Sequence, residues 1–231
     1  MKSLSVLYED SEILLINKEA GISVQGGAGV SHPLDEELSR QLGYKIHLVH
    51  RLDKDTAGIL IVAKNPAAAA KWTKLIAGKD VHKEYTAVCI GHPQSGGKEQ
   101  AEGTLKGQVQ AHGRIQEAVS LYKLVKKGLV HTADEGAADG SGSGGIPLSL
   151  ISISIETGRM HQIRIQTAKA GFPIAGDDQH GDFKSNKILR KAGIKKLLLA
   201  ATRLTLPLNG NKRSFEVPLP PHIQDAVDRF F

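Results

Sequence analysis

The 231-residue chain has a single cysteine, Cys89, so no intramolecular disulfide can staple it. Cys89 lies in the apolar run Thr86 to Ile90, where burial as a small hydrophobe is the natural reading. The ten histidines are scattered and no Cys/His cluster has zinc-ligand spacing, which argues against a metal site. The N-terminus lacks a charged region followed by a long apolar one, so no signal peptide is expected. No stretch approaches the run of about 18 apolar residues that crosses a bilayer. A cytoplasmic enzyme without a membrane partner is therefore the default. Gly26-Gly27-Ala28-Gly29 is not followed by Gly-Lys-Ser/Thr, so a phosphate-binding loop is a poor reading. No internal repeat is visible.

The rest of the composition is that of an ordinary globular chain, 40% hydrophobic and 23% charged. Its length suffices for one substantial core. Lys and Arg exceed Asp and Glu by 30 − 24 = 6. A basic balance fits a polyanionic partner, because neutralised phosphates release counterions. The pattern predicts strands over 4–8, 12–18, 46–52, 58–64, 82–90, 117–126, 148–156, 197–206 and 213–217. It predicts helices over 33–42, 66–77, 160–170 and 221–230. Asn65-Pro66 is a strong start signal for the second helix and Gly78 a stop. The mixture lacks regular strand-helix alternation, so the expected class is α+β with a mostly antiparallel sheet. Residues 134–145, acidic and rich in Gly and Ser, are expected to form a flexible hairpin loop rather than a domain linker.

Two segments carry candidate chemistry. In His50-Arg51-Leu52-Asp53-Lys54-Asp55-Thr56-Ala57-Gly58, Asp53 follows an apolar run and precedes a turn. Strand alternation would put Arg51 and Asp53 on one side. From local chemistry alone, Asp53 also reads as a turn-capping residue whose charge Arg51 offsets. In residues 156–181, Glu156-Thr157-Gly158-Arg159-Met160-His161-Gln162-Ile163-Arg164 leads into a short helix stopped near Gly171. On a helix beginning at Met160, His161 and Arg164 would share a face.

Together these segments resemble the RluA-type pseudouridine synthases, which isomerise particular uridines in structured RNA. The matching motifs are HRLDKDTAG, KEYTAVCIG at 83–91, TGRMHQIR and GFPIAGD. The hairpin from Val6 to Gly21 and the run Lys195 to Ala200 extend the likeness over nearly the whole chain. Ala57, Glu19, Met160, Phe172, His180 and Ala200 depart from the usual Ser, Pro, Thr or Ser, His, Tyr and His. None removes the Asp, Tyr or Arg that the family's chemistry uses.

The resemblance implies a single pseudouridine synthase catalytic domain over 1–231, with no S4-type RNA-binding domain before it, acting as a monomer. It makes Asp53 the nucleophile, Arg164 its partner and Tyr85 the residue stacked on the target base. It makes Arg51 the side chain inserted beside a base flipped out of the stack. His50 and His161 are expected to orient loops around Asp53 and Arg164, and Leu198 or Leu199 to line the uracil pocket. Isomerisation involves no redox step, so no cofactor is expected. The partner is expected to be structured rRNA or tRNA.

Overall fold

The computed structural model describes residues 5–27, 29–111, 114–131 and 144–231. In chain order its elements are β1 (Ser5–Glu9), β2 (Ile13–Lys18), α1 (Leu34–Leu42), β3 (His47–Leu48), β4 (Ala57–Ala63) and α2 (Pro66–Ala77). They continue with β5 (His82–Ile90), β6 (Gln94–Ser95), β7 (Lys98–Glu99), β8 (Glu102–Ala111), β9 (Arg114–His131) and β10 (Gly145–Ile155). The last are α3 (Gln162–Lys169), α4 (Phe183–Lys191), β11 (Leu199–Leu208), β12 (Asn211–Glu216) and α5 (Pro221–Phe230). One large sheet runs β1-β2-β4-β11-β5-β10-β9-β8, with β3 added to β4 and β12 to β11; β6 and β7 form a separate small pair. Every pairing in the large sheet is antiparallel except β4 with β11. The expected α+β class is what the chain adopts.

Strand β4 is buried at all seven residues, because both faces of the sheet are covered there. Leu60 and Val62 pack with Leu14, Ile16, Leu34 and Leu38 on one face. Ile59, Ile61 and Ala63 pack on the other with Ile13, Leu15 and Trp72 of α2. α2 starts and stops as its sequence predicts. The Asn65 side chain accepts from the Ala68 N–H at 2.8 Å, and the Gly78 N–H donates to the Lys74 carbonyl at 2.8 Å.

Several elements differ from expectation. The strand predicted over 46–52 is only His47–Leu48. Beyond it the chain leaves the ladder, and the Ile61 N–H donates instead to His50 Nε2 at 3.0 Å. Asp53 therefore lies in the irregular turn leading into β4, not on a strand. β8 was not anticipated. Its sequence, interrupted by Gly103 and Gly107, is a poor strand former. It is held by pairing along β9, and Gly103 lies under the Tyr122 ring, where a Cβ would stand 2.8 Å from the phenol oxygen. α4 lies outside the helices that the sequence pattern predicts; Asp182 caps it by accepting from the Lys184 and Ser185 N–H groups. The expected flexible loop over 134–145 falls almost wholly outside the described residues, although Gly145 already pairs with His131.

The parallel β4–β11 pair brings the turn holding Asp53 beside Leu199, through the register Ala57↔Ala200 and Gly58↔Ala201. Gly58 has φ +111°, and a Cβ there would stand 2.1 Å from the Ala201 carbonyl oxygen. Gly58→Ala is therefore expected to destabilise the fold by about 2–5 kcal/mol, from strain plus overlap. Urea unfolding checks this; an unchanged midpoint would show that the two strands can separate at no cost.

Candidate active site

A cleft of about 870 Å³ opens beside the turn before β4 and is bounded by β5, β10, β11 and the start of α3. Arg51, Asp53, Tyr85, His161, Arg164 and Leu199 all line it. Segments more than 100 residues apart in sequence thus converge on one carboxylate. Asp53 Oδ2 is 3.5 Å from Arg164 Nη1 and 3.9 Å from His161 Nε2. The Asp53 side chain keeps 19% of its exposure, enough to meet a ligand in the cleft.

Arg164 is not a solvated helix charge. It is buried and makes a bidentate pair with Asp177, Nε to Oδ2 at 2.8 Å and Nη2 to Oδ1 at 2.7 Å. Asp177 is its principal partner, and Asp53 takes the remaining nitrogen at longer range. Burial raises the Asp177 pKa, but the Arg164 hydrogen bonds and the N–H groups of Gln179 and His180 outweigh it, holding the carboxyl below its usual range. Gly176, at φ +77°, brings this segment to the sheet, for a Cβ there would meet the Lys196 carbonyl at 2.0 Å.

Helix α3 is locked by its glutamines. Gln162 accepts from Thr157 Oγ1 and donates to the Val119 carbonyl and Ser120 Oγ. Gln166 accepts from Ser120 Oγ and donates to the carbonyls of Leu105 and Ala118. These buried bonds tie α3 to β8 and β9, and so fix where Arg164 points. The helix begins at Gln162, not Met160. His161 precedes it in a left-handed conformation, φ 53°, and does not share a helix face with Arg164. It reaches Asp53 from the N-cap position instead.

The turn itself is clamped by Lys18. This buried ammonium donates to the carbonyls of Glu19, Ile22 and Lys54 at 2.9–3.0 Å. Burial lowers its pKa to about 8 against the opposing pull of Asp55 and Asp53. Thr56 N donates to the Asp53 carbonyl at 3.2 Å and closes the turn. His50 is uncharged, its pKa lowered by burial to about 3, and it serves as an acceptor for β4. Burial first, then the Asp53 charge, push the Tyr85 phenol up, so its ring is a neutral apolar face in the cleft. Leu199 lines the cleft, whereas Leu198 packs on the opposite face of the sheet with Ala57 and Ala200. Arg51 is exposed on the rim and forms no ion pair among the described residues.

Asp177 and Lys18 were missed as site residues. Asp177 stands next to Asp178, and the local pattern does not tell the buried carboxylate from the exposed one, which pairs with Arg190 on the surface. Lys18 carried a signal of its own, a lysine closing the apolar run Ile13 to Ile16.

A profile of the RNA pseudouridylate synthase family matches residues 12–169. The ribosomal large subunit pseudouridine synthase C of Escherichia coli strain K12 is 34% identical over 236 residues, spanning 97% of this chain and 69% of that protein. Its counterpart in Salmonella typhi is 33% identical over 235 residues, spanning 96% and 69%. The solved human RNA Pseudouridylate Synthase Domain Containing 4 superposes with a TM-score of 0.73 at 20% identity, covering 98% of this chain and 94% of its own. Human RNA Pseudouridylate Synthase Domain Containing 1 gives 0.72 at 21%, covering 96% and 86%. The cleft with Asp53 set against Arg164 and Tyr85, the fold around it and these relatives agree: the chain belongs to the RNA pseudouridylate synthase family and is an isomerase that makes pseudouridine.

Proposed function

We propose that this enzyme acts on a uridine in structured RNA of the large ribosomal subunit, with Asp53 as the nucleophile. The observation that carries the reading is the convergence of Asp53, Arg164 and Tyr85 in one cleft. Breaking the N1–C1′ bond, turning the base and rejoining it through C5 needs an anionic group at C1′ and a surface that holds the detached uracil. Asp53 supplies the first; Tyr85 and Leu199 supply the second. Arg164, held by Asp177, keeps the carboxylate in place from the buried side. The net charge of +6 fits an RNA partner, and the choice of large-subunit ribosomal RNA follows the relatives' names. No helix among the described residues is long and apolar enough to cross a membrane, and we place the enzyme in the cytoplasm with its RNA. Mapping pseudouridines across the RNA of a deletion strain tests the substrate. Loss of a site in large-subunit RNA is expected; loss confined to transfer RNA would contradict it.

Arg51 sits on the rim, where a guanidinium can stack in the gap left by a flipped base and contact phosphate. Arg51→Met is expected to slow single turnover about tenfold on a paired target, because part of the few kcal/mol of flipping cost is no longer offset. On an RNA whose target uridine is already unpaired the loss should be smaller. Equal losses on both would remove the flipping role.

A further inference from the structure

One proton of this reaction needs an acceptor that the roles assigned so far do not name. When C5 of the detached uracil bonds to C1′, the bond from Asp53 oxygen to C1′ breaks and frees the carboxylate; C5 then carries the new bond and its original hydrogen, and N1=C6 becomes a double bond. The C5 proton must leave. Its electron pair then re-forms C5=C6, the N1=C6 pair moves onto N1, and N1 takes a proton from water. No oxidant or reductant enters. A base must stand beside C5, and hence close to Asp53. Tyr85 stays protonated, Arg164 stays cationic, and His50 Nε2 is engaged by the Ile61 N–H.

His161 remains. Its Nε2 faces Asp53 across 3.9 Å. Its backbone is held in the left-handed region, an uncommon state for a residue with a Cβ, and such strain concentrates at functional positions. Its Nδ1 lies 2.9 Å from His180 Nε2, and the two rings meet edge to face. Asp53 and Arg51 from the turn, Arg164 from α3, and Asp177 from the following segment all face this pair. Burial leads these effects and lowers both histidines below their usual value, with Asp53 opposing, so His161 is neutral near pH 7.

We propose that His161 is the base that removes the C5 proton, and that His180 is a positioning residue that accepts the His161 Nδ1–H and leaves the Nε2 lone pair facing the cleft. The proposal rests on the reading that Asp53 holds C1′. Nε2 takes the proton, the imidazolium stands between the Asp53 carboxylate and the His180 lone pair, and water removes the proton when product leaves. His180, which stands where the family usually has Tyr, gives this chain a second histidine for that task.

Single turnover on RNA whose target uridine carries hydrogen or deuterium at C5 tests this. Wild type is expected to show an isotope effect near one. His161→Asn tolerates the left-handed backbone. It is expected to slow turnover about 100-fold and to raise the isotope effect at least about twofold, because C–H cleavage becomes the slow step. His180→Phe should move the acid limb of the pH profile to lower pH, since the imidazolium loses its acceptor. His180→Tyr should restore it, because a phenol oxygen can accept the same bond. An isotope effect in His161→Asn equal to that of wild type would overturn the base assignment. A His180→Phe profile matching wild type would overturn the positioning role. If wild type itself made no pseudouridine, the reading of Asp53 would fail first, and separately.

Discussion

Asp53→Asn is expected to lower pseudouridine formation by about 10⁴-fold or more, the scale seen when a nucleophile is removed from an otherwise intact site. The substitution is nearly isosteric. It removes the anion proposed to engage C1′ and leaves the shape of the turn. The contacts that hold that turn are made by other atoms: the Lys18 ammonium on the Lys54 carbonyl, the Thr56 N–H on the Asp53 carbonyl, and His50 on β4. Arg164 keeps its bidentate pair with Asp177 when Asp53 is neutral. The variant should therefore melt within a few degrees of wild type and bind RNA as well. Mass spectrometry of the RNA after single turnover, beside thermal melts, checks both halves. Turnover within tenfold of wild type would mean that Asp53 is not the nucleophile.

Arg164→Met should fail in a different way. Methionine leaves Asp177 buried with only the Gln179 and His180 N–H groups for partners. Removing one member of a buried ion pair typically costs about 3–5 kcal/mol. The variant is expected to lose that much stability in urea and, where it is still folded, to turn over slowly because Asp53 has lost its buried partner. The loss has a pH signature. Asp177 is held below the ordinary carboxylate value of about 3.9. It therefore adds stability that is complete above that value and fades as pH falls through its depressed folded value. Wild type should lose stability across that acid window, and Arg164→Met should show a weaker dependence there. Pairing Arg164→Met with Asp177→Asn should recover part of the stability but none of the activity, a coupling that a double-mutant cycle reads directly. Additive losses would show that the two side chains do not depend on each other.

Much of this arrangement was legible in the chain. The apolar runs of β2, β4, β5 and β10 announced a sheet, and Asn65-Pro66 and Gly78 bounded α2 to the residue. The ordered motifs pointed to Asp53, Tyr85 and Arg164 together, and all three line one cleft. What stayed hidden is what tertiary contacts decide. Strand β8 exists because β9 offers it a partner, not because its own residues prefer strand. The chain leaves the ladder after Leu48 because His50 takes the Ile61 N–H, so strand alternation could not place Arg51 against Asp53. His161 lies outside α3 because its backbone turns left-handed just before the first helical residue. The burial of Arg164 depends on Asp177, and nothing local separates Asp177 from Asp178. Choosing between Leu198 and Leu199 required the β11 register, which puts Leu199 opposite Ala87 on the cleft face.

The central claim is that Asp53 in this cleft breaks and remakes the bond of a uridine to its sugar. Incubating large-subunit ribosomal RNA tritiated at C5 of uridine with the purified protein measures it most directly, since the C5 hydrogen must depart when C5 joins C1′. Tritium is expected to appear in the water with wild type and to be absent with Asp53→Asn, while both proteins bind the RNA. Binding by wild type without tritium release, or release that persists in Asp53→Asn, would contradict the account.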